Sequence, residues 1–460
     1  MTAAPLRRCP QLARLAATLT AMGLALLPSW AGAQSLRELY DAARAYDATY
    51  LAARSLADSA QYKAAQADAL NRPSVGLAAN ATRTDVDLPT TVTGANQTPI
   101  PGTAGHAYSN RFDASVNATQ PLYNRNNDAT ITQARRNLEV AQTDLETAEQ
   151  DLIVRVAQAY FDVLAAQDAL ETAQTGKKAI AEQLASAKRN FEVGTATITD
   201  TREAQARFDL STAQEIAAEN DLRTKRIALD QLVGRSGVKP KPLAEPVTLP
   251  GPMPDDVSVW VDTADRVHPS VRKFRLVLEI ARLETERARA AEGLTVDLVG
   301  SVGANHTTGT LTTTPGNTSN AVIGLQLKMP LYTGGATQNR IKETLSLEDK
   351  ARNDLEAARR GVAQATRVAF FGLKSGRAQV SALEAAESSS KLALEATQLG
   401  YKVGVRVNLD VLNAQTQLNQ TQRDLARSRY DVVVNGLRLR QASGELRADD
   451  VSAVNALLAP

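Results

Sequence analysis

The sequence predicts an α+β fold of two tandem repeats, each with two amphipathic strands and one very long helix. Short motifs recur at a nearly constant offset, and apolar residues alternate with polar ones over about ten residues in each half. A helical pattern of about 65 residues, with an apolar heptad, fills much of the first half and recurs in the second. Because one helix of that length extends about 100 Å, the molecule is expected to be elongated.

Residues 1–33 have the pattern of a secretory signal that is removed before Gln34. Basic residues precede an apolar run, and small residues precede the cleavage point. These are Arg7, Arg8 and Arg14, the run 15–27, and Ala31-Gly32-Ala33. A twin-arginine export signal is the weaker alternative, because Cys9 and Pro10 follow the arginine pair.

The mature chain is expected to be nearly neutral and free of thiols. Its only cysteine, Cys9, lies in the signal, which excludes disulfides, thiol catalysis and cysteine-bound metals. Removing the signal takes away three positive charges and changes the formal net charge from +2 to −1. Such a chain shows no electrostatic footprint for nucleic acid, so no nucleic-acid partner is expected.

The two halves follow one plan. The motif at 191–194, Phe-Glu-Val-Gly, recurs at 401–404 as Tyr-Lys-Val-Gly, 210 residues later. The segment 234–256 contains six prolines and is expected to run as an extended connector. The predicted organisation is a first repeat at 34–233, the proline-rich linker at 234–256, a second repeat at 257–445 and a C-terminal tail at 446–460.

Each repeat is predicted to hold two strands, a very long helix and a second helix after a short break. The long helices are expected at about 125–190 and 335–402, and the following helices at about 199–232 and 408–443. The heptad positions of the first long helix are Ile131, Leu138, Leu145, Leu152, Ala159, Ala166, Ala173, Ile180 and Ala187. The alanines among them reflect either helix propensity or close helix spacing in a sheet-like or tubular array.

The strands are predicted at about 73–84, 109–122, 294–306 and 320–332. Their period-two alternation is typical of a transmembrane barrel strand, although a half-buried soluble sheet shows the same pattern. After Gln34 no apolar stretch is long enough for a membrane helix, so a membrane crossing would require a closed barrel. Four such strands cannot close a barrel, whereas three chains would supply twelve.

Several motifs together resemble the TolC family over essentially the whole mature chain. They are the duplicated Val-Gly breaks, the strand-to-helix junctions at 120–123 (Gln-Pro-Leu-Tyr) and 329–332 (Met-Pro-Leu-Tyr), and the stretches 400–406 and 409–412. The resemblance implies a homotrimer with a twelve-stranded barrel in the Gram-negative outer membrane and a helical tunnel through the periplasm. It implies a passive exit duct of a tripartite efflux pump or type I secretion system, with a periplasmic adapter and an inner-membrane transporter as partners.

The resemblance also assigns roles to individual residues. The adapter-docking tips would be Val193, Gly194, Thr195, Val403, Gly404 and Val405, where Val405 replaces the threonine usual in the family. The gate of the periplasmic entrance would be Thr199, Asp200, Tyr401, Arg406, Asp410 and Asn413. By the same resemblance, Asp410 would be a ring carboxylate at the closed aperture, one per chain. Asn413 stands where the family has a second acidic ring, so blocking cations are expected to bind less tightly.

No pattern points to catalysis, a cofactor or a metal. His106, His268 and His306 are scattered, and the glycines around 234–237 form no nucleophile elbow. The chain is therefore not expected to be an enzyme. A periplasmic adapter and a structural coiled-coil protein remain as alternatives. An adapter would predict compact lipoyl-like and β-barrel domains and usually an inner-membrane anchor, which the sequence does not indicate, and a coiled-coil protein leaves the two amphipathic strand pairs unexplained.

Overall fold

A computed structural model gives the fold of residues 33–88, 105–244, 249–311 and 315–459. Nearly all of the predicted signal, and parts of the proline-rich linker and of both loops between paired strands, lie outside these described residues. The first half contains α1 (Leu36–Tyr46), α2 (Ala48–Asp68), a 3₁₀ turn (Ala69–Asn71), β1 (Ser74–Leu88), β2 (Gly105–Tyr123), α3 (Arg125–Glu192) and α4 (Ile198–Val233). The second half contains α5 (Val257–Val267), α6 (Pro269–Ala290), β3 (Thr295–Thr308), β4 (Gly316–Lys328), α7 (Ala336–Lys402), α8 (Asn408–Ser443) and α9 (Ala448–Asn455).

The four strands form one antiparallel sheet in the order β1-β2-β3-β4. Ser74 lies opposite Thr119, and Thr295 lies opposite Lys328, so all four connections to helices leave from the same end of the sheet. Within the described chain β1 and β4 each have one unpaired side. An open strand edge presents unpaired backbone N–H and C=O groups, which favours pairing with another chain.

Some strand ends differ from the predicted ones. β4 ends at Lys328 instead of about 332, because Pro330 has no backbone N–H with which to continue the ladder. β1 extends to Leu88 and β2 begins at Gly105, beyond the predicted 84 and 109. In these extensions the two strands pair with each other, and the ladder satisfies their backbone N–H and C=O groups. The strands therefore continue although apolar and polar residues do not alternate there.

The long helices form a flat array. Near the sheet the packing order is α2-α3-α6-α7, and farther away it is α4-α3-α8-α7. α3 and α7 contain 68 and 67 residues, so each extends about 100 Å away from the sheet. No helix in the described ranges is both long enough and apolar enough to span a membrane.

The alanine-rich seam of α3 allows close helix spacing. Five of its nine heptad residues are buried, namely Ile131, Leu152, Ala166, Ile180 and Ala187. A Cβ atom added at Gly176 would lie 2.2 Å from Nδ2 of Asn419 on α8, so a larger residue there would have to displace the Asn419 side chain.

The largest apolar core surrounds the middle of α3. Tyr160 and Phe161 are fully buried there, and α1 and α9 pack over them. The segment 446–459, most of the predicted C-terminal tail, forms α9 and buries Val451 and Leu458 in the core. Leu458 also pairs with Leu243 of the linker in an antiparallel bridge. The middle of the molecule is consequently tied together by both chain ends of the described fold.

Asp47 is expected to be a strong local determinant of stability. It caps α2 by accepting a hydrogen bond from the Tyr50 N–H at 2.8 Å, and both its oxygens bind the Arg155 guanidinium at 2.9 and 3.0 Å. The residue is 8% exposed. We expect Asp47→Ala to lower the free energy of unfolding by about 2 kcal/mol, through loss of the cap and of an ion pair in which the carboxylate is buried and the Arg155 side chain is 41% exposed.

The same contact predicts a pH dependence. The hydrogen bonds from Arg155 hold the pKa of the Asp47 carboxyl below its usual value. A group whose pKa is lowered by folding stabilises the folded state above its unfolded pKa, and this stabilisation is lost as the pH falls through the folded value. Thermal unfolding of wild type and Asp47→Ala should therefore differ at pH 7 and converge in strong acid. An unchanged difference at low pH would contradict the assignment.

Candidate functional site

The two helix breaks at the end far from the sheet have the same backbone geometry. They are residues 193–197, between α3 and α4, and residues 403–407, between α7 and α8. Gly194 and Gly404 both have φ of 80°. In the first break the Thr195 N–H donates to the Asn190 carbonyl at 2.8 Å, and in the second the Val405 N–H donates to the Gly400 carbonyl at 2.8 Å. Each helix thus ends in a Schellman motif, in which glycine supplies the left-handed residue.

Val405 does not weaken the backbone of its break. Its N–H makes the same bond as that of Thr195, and only one side-chain contact differs between the two. The Thr195 hydroxyl also donates to the Asn190 carbonyl at 3.0 Å, which valine cannot do. What valine adds is apolar surface, since Val193, Val403 and Val405 are 72%, 66% and 78% exposed. The two breaks together form an exposed surface with apolar side chains.

The predicted gate residues lie beside these breaks, and within one chain several of them form local contacts. The Asp200 carboxylate accepts from the N–H and hydroxyl of Thr197 at 2.9 and 2.7 Å, which caps its own helix. Arg406 lies 3.7 Å from Asp410 in an exposed i,i+4 pair on the second break and α8. Thr199 is exposed. Among the contacts of the described residues, none joins Asp200 to Tyr401 or Arg406 within one chain.

Two of the predicted residues do connect the halves of the chain. The Tyr401 hydroxyl, at the end of α7, accepts from Asn190 Nδ2 on α3 at 3.2 Å. The Asn413 side-chain oxygen on α8 accepts from Arg207 Nη2 on α4 at 2.9 Å. Position 413 therefore carries a polar link between α4 and α8.

Asn408 is a connecting residue that the sequence analysis missed. It is 1% exposed, its side-chain oxygen accepts from Gln183 Nε2, and its Nδ2 donates to the Asp200 carbonyl at 3.4 Å. One buried amide thus joins α8 to both α3 and α4. The repeat offers a signal that could have revealed it, because the equivalent position 210 residues earlier holds the exposed, apolar Ile198.

Apolar packing accompanies these polar links. Leu412 of α8 is 1% exposed and packs with Ile180, Leu184 and Ala204 from α3 and α4. Nearer the middle, the Tyr430 hydroxyl donates to Asp168 at 2.6 Å, and burial raises the pKa of that carboxyl. Between the tips and the large central core, the halves are therefore held by one small apolar cluster and a few hydrogen bonds.

The three histidines have local roles. His268 Nδ1 accepts from the Ser270 N–H at 3.0 Å and caps α6, while His106 and His306 bond Asp87 and Asn317 beside the strand loops. The described residues include no group of three or more His, Cys, Asp or Glu placed to hold a metal ion.

Known proteins are similar to this chain in sequence and in fold. The sequence model of the family described as outer membrane efflux protein matches residues 39–235 and 260–445, which are the two repeats. The chain belongs to this family. The resemblance inferred from the motifs is thereby confirmed, and membership in the outer membrane efflux protein family decides against the adapter and scaffold alternatives.

Individual relatives and structures agree with this assignment. Outer membrane protein TolC of Vibrio cholerae serotype O1 is 32% identical over 437 residues, which cover 94% of this chain and 96% of that protein. Alkaline protease secretion protein AprF of Pseudomonas aeruginosa is 33% identical over 314 residues, covering 67% and 64%. The crystal structure of outer membrane protein VceC from Vibrio cholerae has a TM-score of 0.73 at 20% identity, covering 89% and 96%.

These comparisons confirm the predicted α+β channel fold and the outer-membrane location. The structural likeness at 20% identity bears on the fold alone.

Proposed function

We propose that three copies of this chain form a passive exit duct of a tripartite efflux pump or type I secretion system. The observation that carries the proposal is a four-stranded sheet with both edges open, from one end of which all four helix connections leave. Four strands are too few to close a barrel, and three copies supply twelve. On β4, Ile323, Leu325 and Leu327 share one face and are 81%, 62% and 63% exposed, as expected of side chains that face lipid.

The helical arrays would close in the same way. The outer helices of each array carry exposed apolar residues, including Ile216 and Ile227 on α4 and Leu392 and Leu399 on α7. Three arrays joined side by side would form a tube of twelve helices below a twelve-stranded barrel. No reaction is assigned to this duct, and the transporter in the inner membrane would supply the energy.

The tips would close the tube and receive the adapter. Val193-Gly194-Thr195 and Val403-Gly404-Val405 form exposed turns at the end farthest from the sheet, and their valines offer apolar contacts to a helical hairpin of the adapter. The proposed gate comprises Thr199, Asp200, Tyr401, Arg406, Asp410 and Asn413. Since Arg406 has only an exposed partner 3.7 Å away in its own chain, its main partner in the closed trimer would lie on the neighbouring protomer.

Planar-bilayer conductance of the purified mature protein tests the duct and the gate together. We expect a small, long-lived conductance for wild type, and a conductance several-fold larger for Arg406→Ser. Each exposed ion pair or hydrogen bond that keeps the entrance closed contributes about 0.5 kcal/mol, and two of them in each of three chains amount to about 3 kcal/mol. Removing half of them should therefore shift the equilibrium strongly from the closed to the open state.

Arg427→Ser is the matched control for this measurement. Arg427 forms the same kind of exposed i,i+4 pair, with Asp431 at 3.9 Å, within α8 and far from the tip. Its loss should leave the conductance unchanged. A wild-type protein that never inserts would contradict the duct, whereas a conducting protein equally indifferent to both substitutions would contradict only the role of Arg406.

A further inference from the structure

The outer helices of the array, α4 and α7, each present an exposed heptad of uncharged residues. In both helices, positions spaced alternately by three and four are exposed and uncharged, although charged residues are frequent at the positions between them. Such spacing is typical of a helix that packs along a second helix. We call these two stripes the edge seams. The α7 seam is Val368, Phe371, Ser375, Ala378, Ala382, Ala385, Ser389, Leu392, Ala396 and Leu399, and the α4 seam is Ala206, Leu210, Ala213, Ala217, Asn220, Thr224, Ile227 and Gln231.

Each edge seam has a counterpart that is already packed within the chain. α3 and α7 end 210 residues apart, and so do α4 and α8, which contain 36 residues each. Along this offset, the α7 seam corresponds to the side of α3 that faces α8, and the α4 seam corresponds to the side of α8 that faces α3. The contacting residues that show this are Gln158, Phe161 and Asp168 on α3 and Tyr430 and Gln441 on α8. The chain therefore makes this kind of contact once and leaves one copy of each surface open.

Equivalent aromatic residues show what the open surface of α7 lacks. Phe161 of α3 is 1% exposed, and its ring stacks on that of Tyr430 of α8 with 5.7 Å between the centroids. Phe371 of α7, at the equivalent position, is 56% exposed and lies beside Val368 in an open cleft of about 630 Å³. A helix that covered α7 as α8 covers α3 would remove both side chains from water, which favours association.

We propose that the α7 seam of one protomer packs against the α4 seam of the next, in the direction and register of the α3–α8 contact within the chain. The inference rests on the proposed trimer and specifies which surfaces of two copies meet. The occupant is a second copy because the seams lie on opposite edges of one array, α4 on the side of β1 and α7 on the side of β4. The helix contact thus continues the contact between the open strand edges of the same two protomers. α7 leads away from the sheet and α4 returns to it, as α3 and α8 do, so the seams meet antiparallel.

The repeat also specifies the register of the proposed contact. Within the chain, the Asn419 side chain of α8 lies against Gly176 of α3. The positions equivalent to this pair are Asp209 of α4 and Ala386 of α7. These two residues should therefore face each other across the boundary between protomers.

Side-chain chemistry separates the contact within the chain from the contact between chains. Near the tips, the α3–α8 contact joins the side-chain amides of Gln183 and Asn408, and Asn408 is buried. The equivalent pair between protomers is Ala393 and Ile198, which have no polar side-chain atom. Exchanging α8 for α4 would place the Asn408 amide against Ala393 and leave it without its partner, which disfavours the wrong pairing.

Disulfide cross-linking tests the proposed register. Asp209→Cys/Ala386→Cys is introduced into the mature chain, which has no cysteine once the predicted signal is removed. The purified protein in dodecyl maltoside is oxidised with copper phenanthroline and separated on a denaturing gel without reductant. We expect most of the protein to migrate as a covalent trimer, because a disulfide at each of the three contacts closes the ring, and to return to monomer on reduction.

A shifted pair and single variants are the controls for register and direction. Asp209→Cys/Ala393→Cys moves one cysteine by a heptad, about 10 Å along α7, and should cross-link at least about tenfold more slowly. Asp209→Cys and Ala386→Cys alone should each remain monomeric on the gel, because the proposed contact joins α7 to α4 and not either helix to itself.

Two further pairs calibrate the measurement. Gly176→Cys/Asn419→Cys is the equivalent pair within the chain, and it should form its disulfide without a covalent trimer. Ala217→Cys/Ala378→Cys joins the two edge seams in the proposed register and replaces only alanines. It should also give a covalent trimer, and it keeps the test open if the first matched pair does not assemble.

The proposal is wrong if the shifted pair cross-links as fast as the matched pairs, or if a single variant forms covalent dimers to the same extent. It is also wrong if both matched pairs stay monomeric on the gel although the reduced proteins are trimeric by light scattering. That last result leaves the duct in place and contradicts only the seams. A wild-type protein that is monomeric and never conducts contradicts the proposed function instead.

Discussion

Replacing Asn408 with alanine is expected to open the channel more than the loss of any exposed link near the tips. Its amide is 1% exposed and binds both α3, through Gln183, and α4, through the Asp200 carbonyl. Removing one partner of a buried hydrogen bond leaves the other unsatisfied, which costs about 1–3 kcal/mol. Over three chains this amounts to at least about 3 kcal/mol, or a shift of two orders of magnitude in the closed-to-open equilibrium.

The effect should appear as conductance and not as unfolding. Leu412, four residues along α8, keeps its apolar contacts with α3 and α4, so the helices remain folded when the amide is lost. The central core around Tyr160 and Phe161 also lies beyond reach of the substitution. Single-channel recordings should therefore show a larger open conductance, while the far-ultraviolet circular dichroism of the variant stays that of wild type.

Asn413→Ala is the comparison variant for this prediction, since Asn413 also belongs to the proposed gate but should open the channel less. Asn413 is an asparagine on the same helix that also connects α8 to the first half, through Arg207 at 2.9 Å, but it is exposed. Water replaces an exposed hydrogen bond, so its loss should cost about 0.5 kcal/mol. If Asn413→Ala opens the channel as much as Asn408→Ala does, burial is not what makes Asn408 important.

Some features of the site could be predicted from the sequence and others could not. The backbone of the tips is determined locally. Gly194 and Gly404 each follow the valine at the end of a long helix, and a glycine in that place specifies the left-handed residue of a Schellman motif. The partners of Asp200 and Asn408 depend instead on how helices pack. Asp200 caps its own helix through Thr197, a short-range pattern that was readable from the sequence, whereas the burial of Asn408 follows from the approach of α8 to α3 and α4.

The fold shows the same division. The long helices and the amphipathic strands have periodicities that extend over many residues, so their existence and type were predictable. The end of β4 depends on a single proline, and α9, with eight residues, is too short to show a heptad repeat. No sequence-local signal specifies which contacts of the proposed trimer lie between protomers, and in the described chain the open edges of β1 and β4 suggest where they would lie.

Gly444→Ala is expected to destabilise the protein far more than Gly404→Ala. Both glycines end a long helix, and their φ angles are 79° and 80°. An alanine in this left-handed region costs about 1–2 kcal/mol, so the backbone term is the same at both sites. The surroundings differ, because a Cβ at Gly444 would lie 2.5 Å from the His268 Cα atom, whereas a Cβ at Gly404 meets nothing within 4 Å.

The contact at Gly444 cannot be relieved by a side-chain rotation. His268 begins α6 and accepts the Ser270 N–H, so its backbone is fixed by the start of that helix. Forcing it aside adds about 1–3 kcal/mol of overpacking to the left-handed term. We therefore expect Gly444→Ala to lower the free energy of unfolding by about 2–5 kcal/mol, against about 1–2 kcal/mol for Gly404→Ala. Thermal unfolding of both variants in the same detergent measures the difference. Equal losses would mean that α8 shifts away from α6 at little cost, and that the contact between Gly444 and His268 does not fix the position of α8.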